Sequence, residues 1–116
     1  VALVDNPTLD QLALQKAQDL AANYNSSYDH NSPHHSPTLG WPYDMEIRAG
    51  FRAPLMGAEN WAMNSSAQRA FLAFMNSPTH RANIMNPGFR QTGIAVVPNI
   101  ANGQVVGVVV EELFAG

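Results

Sequence analysis

Apolar residues recur at helical spacing near the start of the chain. Leu9, Leu12, Ala13, Ala17, Leu20 and Ala21 share one stripe, which only Lys16 interrupts. Pro7 and Thr8 open this helix, Thr8 and Gln11 read as a capping box, and the pattern runs to about Asn23. The stretch from Asn25 to Gly40 is dense in Ser, Asn, Pro, Gly and His, so it reads as a long irregular connection carrying His30, His34 and His35. A short helix over about Pro42 to Ala49 follows, stopped by Gly50, with Tyr43, Met45 and Ile47 available for burial. Leu55 to Met63 reads as an extended or turn segment.

Asn64, Ser65 and Ser66 cap a second strong helix, with Gln68 completing a box from Ser65 and Ala67, Ala70, Phe71, Phe74 and Met75 on its buried face. Ser77 and Pro78 start another, because Ser accepts from free amides while Pro at the first helical position has no amide to lose. It ends by Met85, before Asn86-Pro87-Gly88. Thr92 to Val97 and Gln104 to Phe114 read as a β-hairpin joined through Asn99 to Gly103. Val105, Val106, Val108, Val109 and Val110 are apolar on both alternating faces, which predicts a strand covered by helices on each side. The fold class is therefore α+β, an antiparallel sheet between helical layers.

Composition narrows the function. Charged residues make up only 13% of the 116-residue chain, well below the roughly 25% of ordinary soluble domains, so the solvated face relies on Asn, Ser, Thr and Gln. A net charge of −3 with six scattered basic residues argues against a nucleic-acid partner. No apolar run approaches the length of a transmembrane helix. The absence of cysteine removes disulfides, thiolate nucleophiles and thiolate metal sites, so any metal must be held by His, Asp or Glu.

His80 stands at the third position of the Ser77-capped helix, where the positive helix end disfavours an imidazolium; it is either a neutral ligand or base, or a packed helix-start histidine. His30 lies in the turn Tyr28-Asp29-His30-Asn31-Ser32-Pro33. His34 and His35 are adjacent, so their side chains diverge in extended backbone and are expected in solvent. Glu59, between Gly57-Ala58 and Asn60-Trp61, either faces a polar cleft with histidine partners or takes backbone amides structurally. Glu111 and Glu112 point to opposite faces, so at most one looks into such a cleft and the other is solvated. Two histidines and one glutamate suffice for a divalent site with an open position, in which Glu59 acts as general base. No serine-nucleophile, zinc-protease or phosphate-loop motif is present.

The ordered blocks Tyr28 to Pro33, Gly57-Ala58-Glu59-Asn60, Phe74 to Phe89 and Thr92 to Val96 resemble the bacterial branch of the CAP family, the SCP-like or pathogenesis-related-1-like domains. Ser77 to Phe89 is the most specific block, and the likeness covers nearly the whole chain. It implies a three-layer α-β-α sandwich with a central antiparallel sheet, formed by residues 1–116 as one domain without the extra N-terminal helix that commonly begins the family. It further implies a cleft gathering His30, Glu59, Ser77 and His80, with His30 and His80 holding a divalent cation, usually zinc. Ser77 stands where eukaryotic relatives carry a second cleft glutamate, and Phe74 replaces the usual tryptophan.

The implied setting is extracellular or at the cell envelope. The leading functional expectation is a module whose cleft binds a small molecule, lipid, glycan or peptide. A metal-dependent hydrolase built on His30, His80 and Glu59 is one alternative, and a structural or adhesive unit presenting Trp41, Tyr43 and Trp61 is the other.

Overall fold

The computed structural model describes residues 2–116. In chain order the elements are β1 (Val4–Asp5), α1 (Pro7–Ser27), α2 (Pro42–Arg48), β2 (Met56–Asn64), α3 (Ala67–Asn76), α4 (Pro78–Met85), β3 (Gln91–Ala101) and β4 (Gln104–Ala115). The sheet order is β1-β3-β4-β2. The three long strands are antiparallel, as expected, and the two-residue β1 adds a parallel pairing to β3. α1 covers one face, α3 and α4 the other, which gives the α-β-α sandwich.

The start of α1 differs from the Thr8/Gln11 box. Asn6 is the cap: its Oδ1 accepts from the amides of Thr8 at 2.9 Å and Leu9 at 3.2 Å, and the helix opens at Pro7 as expected. The helix also outlasts the Asn23 boundary, reaching Ser27. Side-chain pairing along the helix holds the last turns there: Asp19 accepts from Asn23 Nδ2 at 2.9 Å, four residues on, and from the hydroxyl of the C-cap residue Tyr28. In α3 the cap is Ser66, whose Oγ accepts from Arg69 N at 3.2 Å, in place of a Ser65/Gln68 box. Ala70 and Phe74 form its buried face, whereas Met75 is exposed.

Strand alternation divides the core. Val109 and Leu113 point to α1, packing with Leu9, Ala13, Ala17 and Leu20, while Val110 points the opposite way to Ala70 and Phe74. α1 crosses β3 at Gly93, where an added Cβ would lie 2.1 Å from the Leu9 carbonyl carbon. Asn102 and Gly103, both at positive φ, make the two-residue hairpin turn.

Double coverage holds for only part of β4. Val109 to Ala115 are buried, but Val105 and Val106 are 68% and 59% exposed. β2 ends at Asn64, opposite Val108, so beyond that register the hairpin projects past the third strand.

Candidate functional site

The 28–41 connection is ordered by turns, and α1 anchors it. Ser32 N donates to Asp29 O at 2.9 Å and His35 N to Ser32 O at 3.1 Å. Buried Ser36 donates to Asp19 Oδ2 at 2.7 Å and pairs its backbone with Gly40 at 3.0 and 2.9 Å. Burial pushes the Asp19 carboxyl up, but the Tyr28, Ser36, Asn23 and Thr38 donors outweigh it and hold Asp19 below the usual carboxylate range. Two neighbouring carbonyls then fix the backbone at His34: Trp61 Nε1 donates to Pro33 O at 3.1 Å and Lys16 Nζ to His34 O at 2.9 Å.

These turns deliver His34, not His30, to Glu59. His34 Nδ1 lies 2.7 Å from Glu59 Oε1, and Lys16 Nζ lies 2.8 Å from Oε2. The side chains of Lys16 and Glu59 are wholly buried, whereas that of His34 is 45% exposed. His34 is therefore a bonded wall residue and not the free loop side chain expected from its position beside His35. The extended backbone assumed for that pair is replaced by turns.

His30 folds back onto the end of α1. Asn31 N donates to Asp29 Oδ1 at 2.9 Å, His30 Nε2 sits 2.9 Å from Tyr24 O, and the His30 ring stacks on Tyr24 at 4.3 Å. No hydrogen bond or ring contact joins it to Glu59 or His80 among the described residues.

An ionised carboxylate only accepts, so His34 Nδ1 carries the proton in this bond, and whenever the ring is neutral it is Nε2 that holds the free lone pair. Burial would raise Glu59, but Glu111, His34 and Lys16 outweigh it and hold its carboxyl below the usual range. Both Glu59 oxygens are spent on these partners, beneath the surface. Glu59 thus orients His34, with each of its oxygens already accepting one hydrogen bond.

Lys16, the residue that breaks the apolar stripe of α1, is the cation that stabilises this charge. Glu111 lies in the same cluster. Burial and the neighbouring Glu59 push it well above the ordinary range, which favours its neutral form, and neither of its oxygens has a hydrogen-bond partner among the described residues. Glu112 is buried on the opposite face, where Thr92 Oγ1 donates to it at 3.0 Å. Neither acid is solvated, because helices cover both faces of β4 at this level.

Ser77 and His80 form a separate pair beside the site. Ser77 is the backbone cap of α4, yet its Oγ meets His80 Nδ1 at 2.8 Å in place of a helix amide. The His80 ring stacks on Phe74 at 5.1 Å. Burial, then the nearby His34, lower its pKa and favour the neutral ring. Two residues not singled out from the sequence tie α4 to β2. Buried Asn60 donates to His80 O at 3.0 Å and accepts from Asn83 Nδ2 at 2.9 Å. Asn60 ends the Gly57-Ala58-Glu59-Asn60 block and Asn83 lies within Phe74 to Phe89, and nothing in either block signalled that the two amides meet.

A cleft of about 430 Å³ opens here, lined by His34, Trp41, Tyr43, Gly57, Glu59 and Asn83. His30, Ser77 and His80 are not part of its lining. Gly57 has φ +84°, and an added Cβ would come within 2.9 Å of Tyr43 Cβ, so its missing side chain lets Tyr43 sit on β2. Among the described residues no three of His, Asp and Glu are grouped to hold a metal ion. The zinc implied for His30 and His80 does not fit this arrangement, since His30 is turned to Tyr24 and Glu59 is neutralised by Lys16.

Glu46 lies under the same wall, buried, with Oε1 accepting from Gly57 N at 3.0 Å. Burial pushes it up to about 7, against the Gly57 bond and together with nearby Glu59. Burial also pushes Glu112 up to about 7, against the Thr92 bond. Both folded-state values exceed the unfolded 4.5, so their stabilisation is complete below that pH and is lost as pH rises through 7. Denaturant titrations between about pH 5 and 8 are expected to show a decline approaching about 1.4 kcal/mol per pH unit per group, flattened in Glu46→Gln/Glu112→Gln. Equal slopes in the two proteins would refute the assignment.

The chain belongs to the CAP family, the cysteine-rich secretory protein family, whose model matches residues 1–111. It is a cysteine-free member. Among curated proteins it is 35% identical over 91 residues to the uncharacterized protein YkwD of Bacillus subtilis (strain 168), a match covering 78% of this chain and 33% of that protein. The chain thus spans about a third of the length of that relative. Among solved structures it is similar to an outer surface protein from Borrelia burgdorferi, with a TM-score of 0.76, 19% identity, and coverage of 99% of this chain and 77% of that one. That likeness establishes the fold alone.

Proposed function

We propose that this CAP domain is a binding module of the cell envelope or extracellular space, and that its ligand is taken into the cleft against His34. The observation that carries this reading is the His34–Glu59 pair. A buried carboxylate, neutralised from behind by Lys16, holds one ring nitrogen and leaves the other at the wall of a cleft whose volume is typical of small-molecule sites. The orientation is fixed before any ligand arrives, which reduces the ordering cost of binding. The family's secretory name and the outer surface protein that shares the fold support the location.

The same pair favours a second reading, in which His34 Nε2 takes a proton from a water or a ligand hydroxyl and Glu59 stabilises the resulting imidazolium. Turnover of an ester substrate that disappears in His34→Ala separates this reading from binding alone. Binding itself is tested by following histidine side-chain resonances while adding a tetrasaccharide, a tripeptide and octanoate in turn. One class is expected to move His34 and leave His30 unchanged, and Glu59→Gln should weaken that response about tenfold or more. Shifts centred on His30, or none at His34, would leave the domain as a structural or adhesive unit.

A further inference from the structure

We infer that the cleft ligand is a neutral sugar chain, stacked on Trp41 and Tyr43 and hydrogen-bonded by His34 and Asn83. The inference rests on the binding reading above and names its ligand class. Trp41 and Tyr43 are 47% and 53% exposed, although both line a concavity. Large aromatic rings left half-bare beside polar groups mark a surface that meets a partner with an apolar face and a polar rim. A pyranose ring has that shape, with C–H bonds on its faces and hydroxyls at its edge.

The rings are held ready. Pro42 opens α2 between them, with its φ fixed by the pyrrolidine ring. Trp41 packs against His35 with ring centres 4.9 Å apart, and its backbone amide donates to Asp44 Oδ2 at 2.9 Å. Tyr43 rests over Gly57, where there is no side chain to displace it. Rigid aromatic platforms of this kind lose little conformational entropy on binding.

The polar rim suits hydroxyls. Asn83 Nδ2 is engaged with Asn60 Oδ1 at 2.9 Å, so its carbonyl oxygen is the atom left to accept. His34 spends Nδ1 on Glu59, which leaves Nε2 to meet a second hydroxyl. The Trp41 indole N–H has no hydrogen-bond partner among the described residues.

Other ligand classes fit less well. The lining contains no Leu, Ile, Val or Met side chain on which an acyl chain would lie. It contains no Lys or Arg to select a phosphate or carboxylate, and the Glu59 charge that would attract an ammonium is already paired with buried Lys16. A ligand recognised by aromatic faces and neutral hydrogen bonds remains.

The test uses the whole chain and three neutral probes: cellotetraose, chitotetraose and mannotetraose. At least one is expected to shift the Trp41 indole N–H and the His34 ring signals at about 10 mM or below, with the Trp61 indole, bonded to Pro33 O, unmoved. Trp41→Ala should weaken that probe about tenfold or more and Trp41→Phe by no more than about threefold, because the phenyl keeps a stacking face. If none of the three binds while the tripeptide or octanoate still moves His34, the sugar assignment is overturned and the binding cleft stands. If no probe of any class moves His34, both fall. Binding that survives Trp41→Ala unchanged would also overturn the sugar assignment.

Discussion

Lys16→Met is expected to lower the unfolding free energy by about 3–5 kcal/mol near neutral pH, the range seen when one partner of a buried ion pair is removed. Lys16 and Glu59 are both fully buried and 2.8 Å apart, so the substitution leaves a carboxylate in a low-dielectric interior with only His34 and Glu111 beside it. The His34 carbonyl also loses its Lys16 donor, which loosens the loop that positions the imidazole. Without its cation Glu59 becomes a carboxyl raised above its unfolded value. The penalty should therefore shrink as pH falls below about 5 and grow as it rises. Adding Glu59→Gln should recover part of the loss, since a neutral amide costs less to bury than an unpaired charge. Chemical denaturation of the single and double variants at two pH values reads all three effects. A loss below about 1 kcal/mol, as for an exposed pair, would contradict the buried geometry.

Gly93→Ala is expected to cost about 2–3 kcal/mol or more, lowering the melting temperature by about 10 °C. The new Cβ would fall 2.1 Å from the Leu9 carbonyl carbon and 2.4 Å from Asp10 N. Those are backbone atoms of α1, so no side-chain rotation relieves the overlap, and the helix must move away from β3. Leu9 and Ala13, fully buried against Leu113 on the same face, would lose their close packing. Asp10 would also lose the 2.9 Å bond that it accepts from Ile94 N. Thermal melts of the wild type and the variant measure this directly. An unchanged melting temperature would mean that the helix does not lie on the strand at Gly93.

The four helices and the β3-β4 hairpin were legible because each carries its own local signal, whereas β1 went unread and β2 was read only as an extended or turn segment. The apolar run of β4, the Ser77-Pro78 start of α4 and the apolar face of α3 need no distant partner to be read. Where the reading stopped short, the deciding partner lay far along the chain. α1 runs past Asn23 because Asp19 ties down Tyr28 and Ser36, and Val105 stands in solvent because β2 ends opposite Val108.

The site follows the same rule. Glu59 was recognisable as an acid in apolar surroundings. The histidine that meets it depends on how the 29–36 turns fold, and no periodicity reports a turn's direction. Lys16 looked like a flaw in an apolar stripe because its counter-charge is 43 positions away. Asn60 and Asn83 offered only ordinary amides, and their role appears once α4 lies beside β2.

Which histidine Glu59 holds defines the site. Nitrogen-15 spectroscopy of the imidazole side chains in the wild-type protein decides this. His34 is expected to show an Nδ1–H protected from exchange and an unprotonated Nε2 at a pH where the ring is neutral, with His30 showing no such protection. A protected Nδ1–H on His30, with His34 exchanging freely, would contradict the site described above.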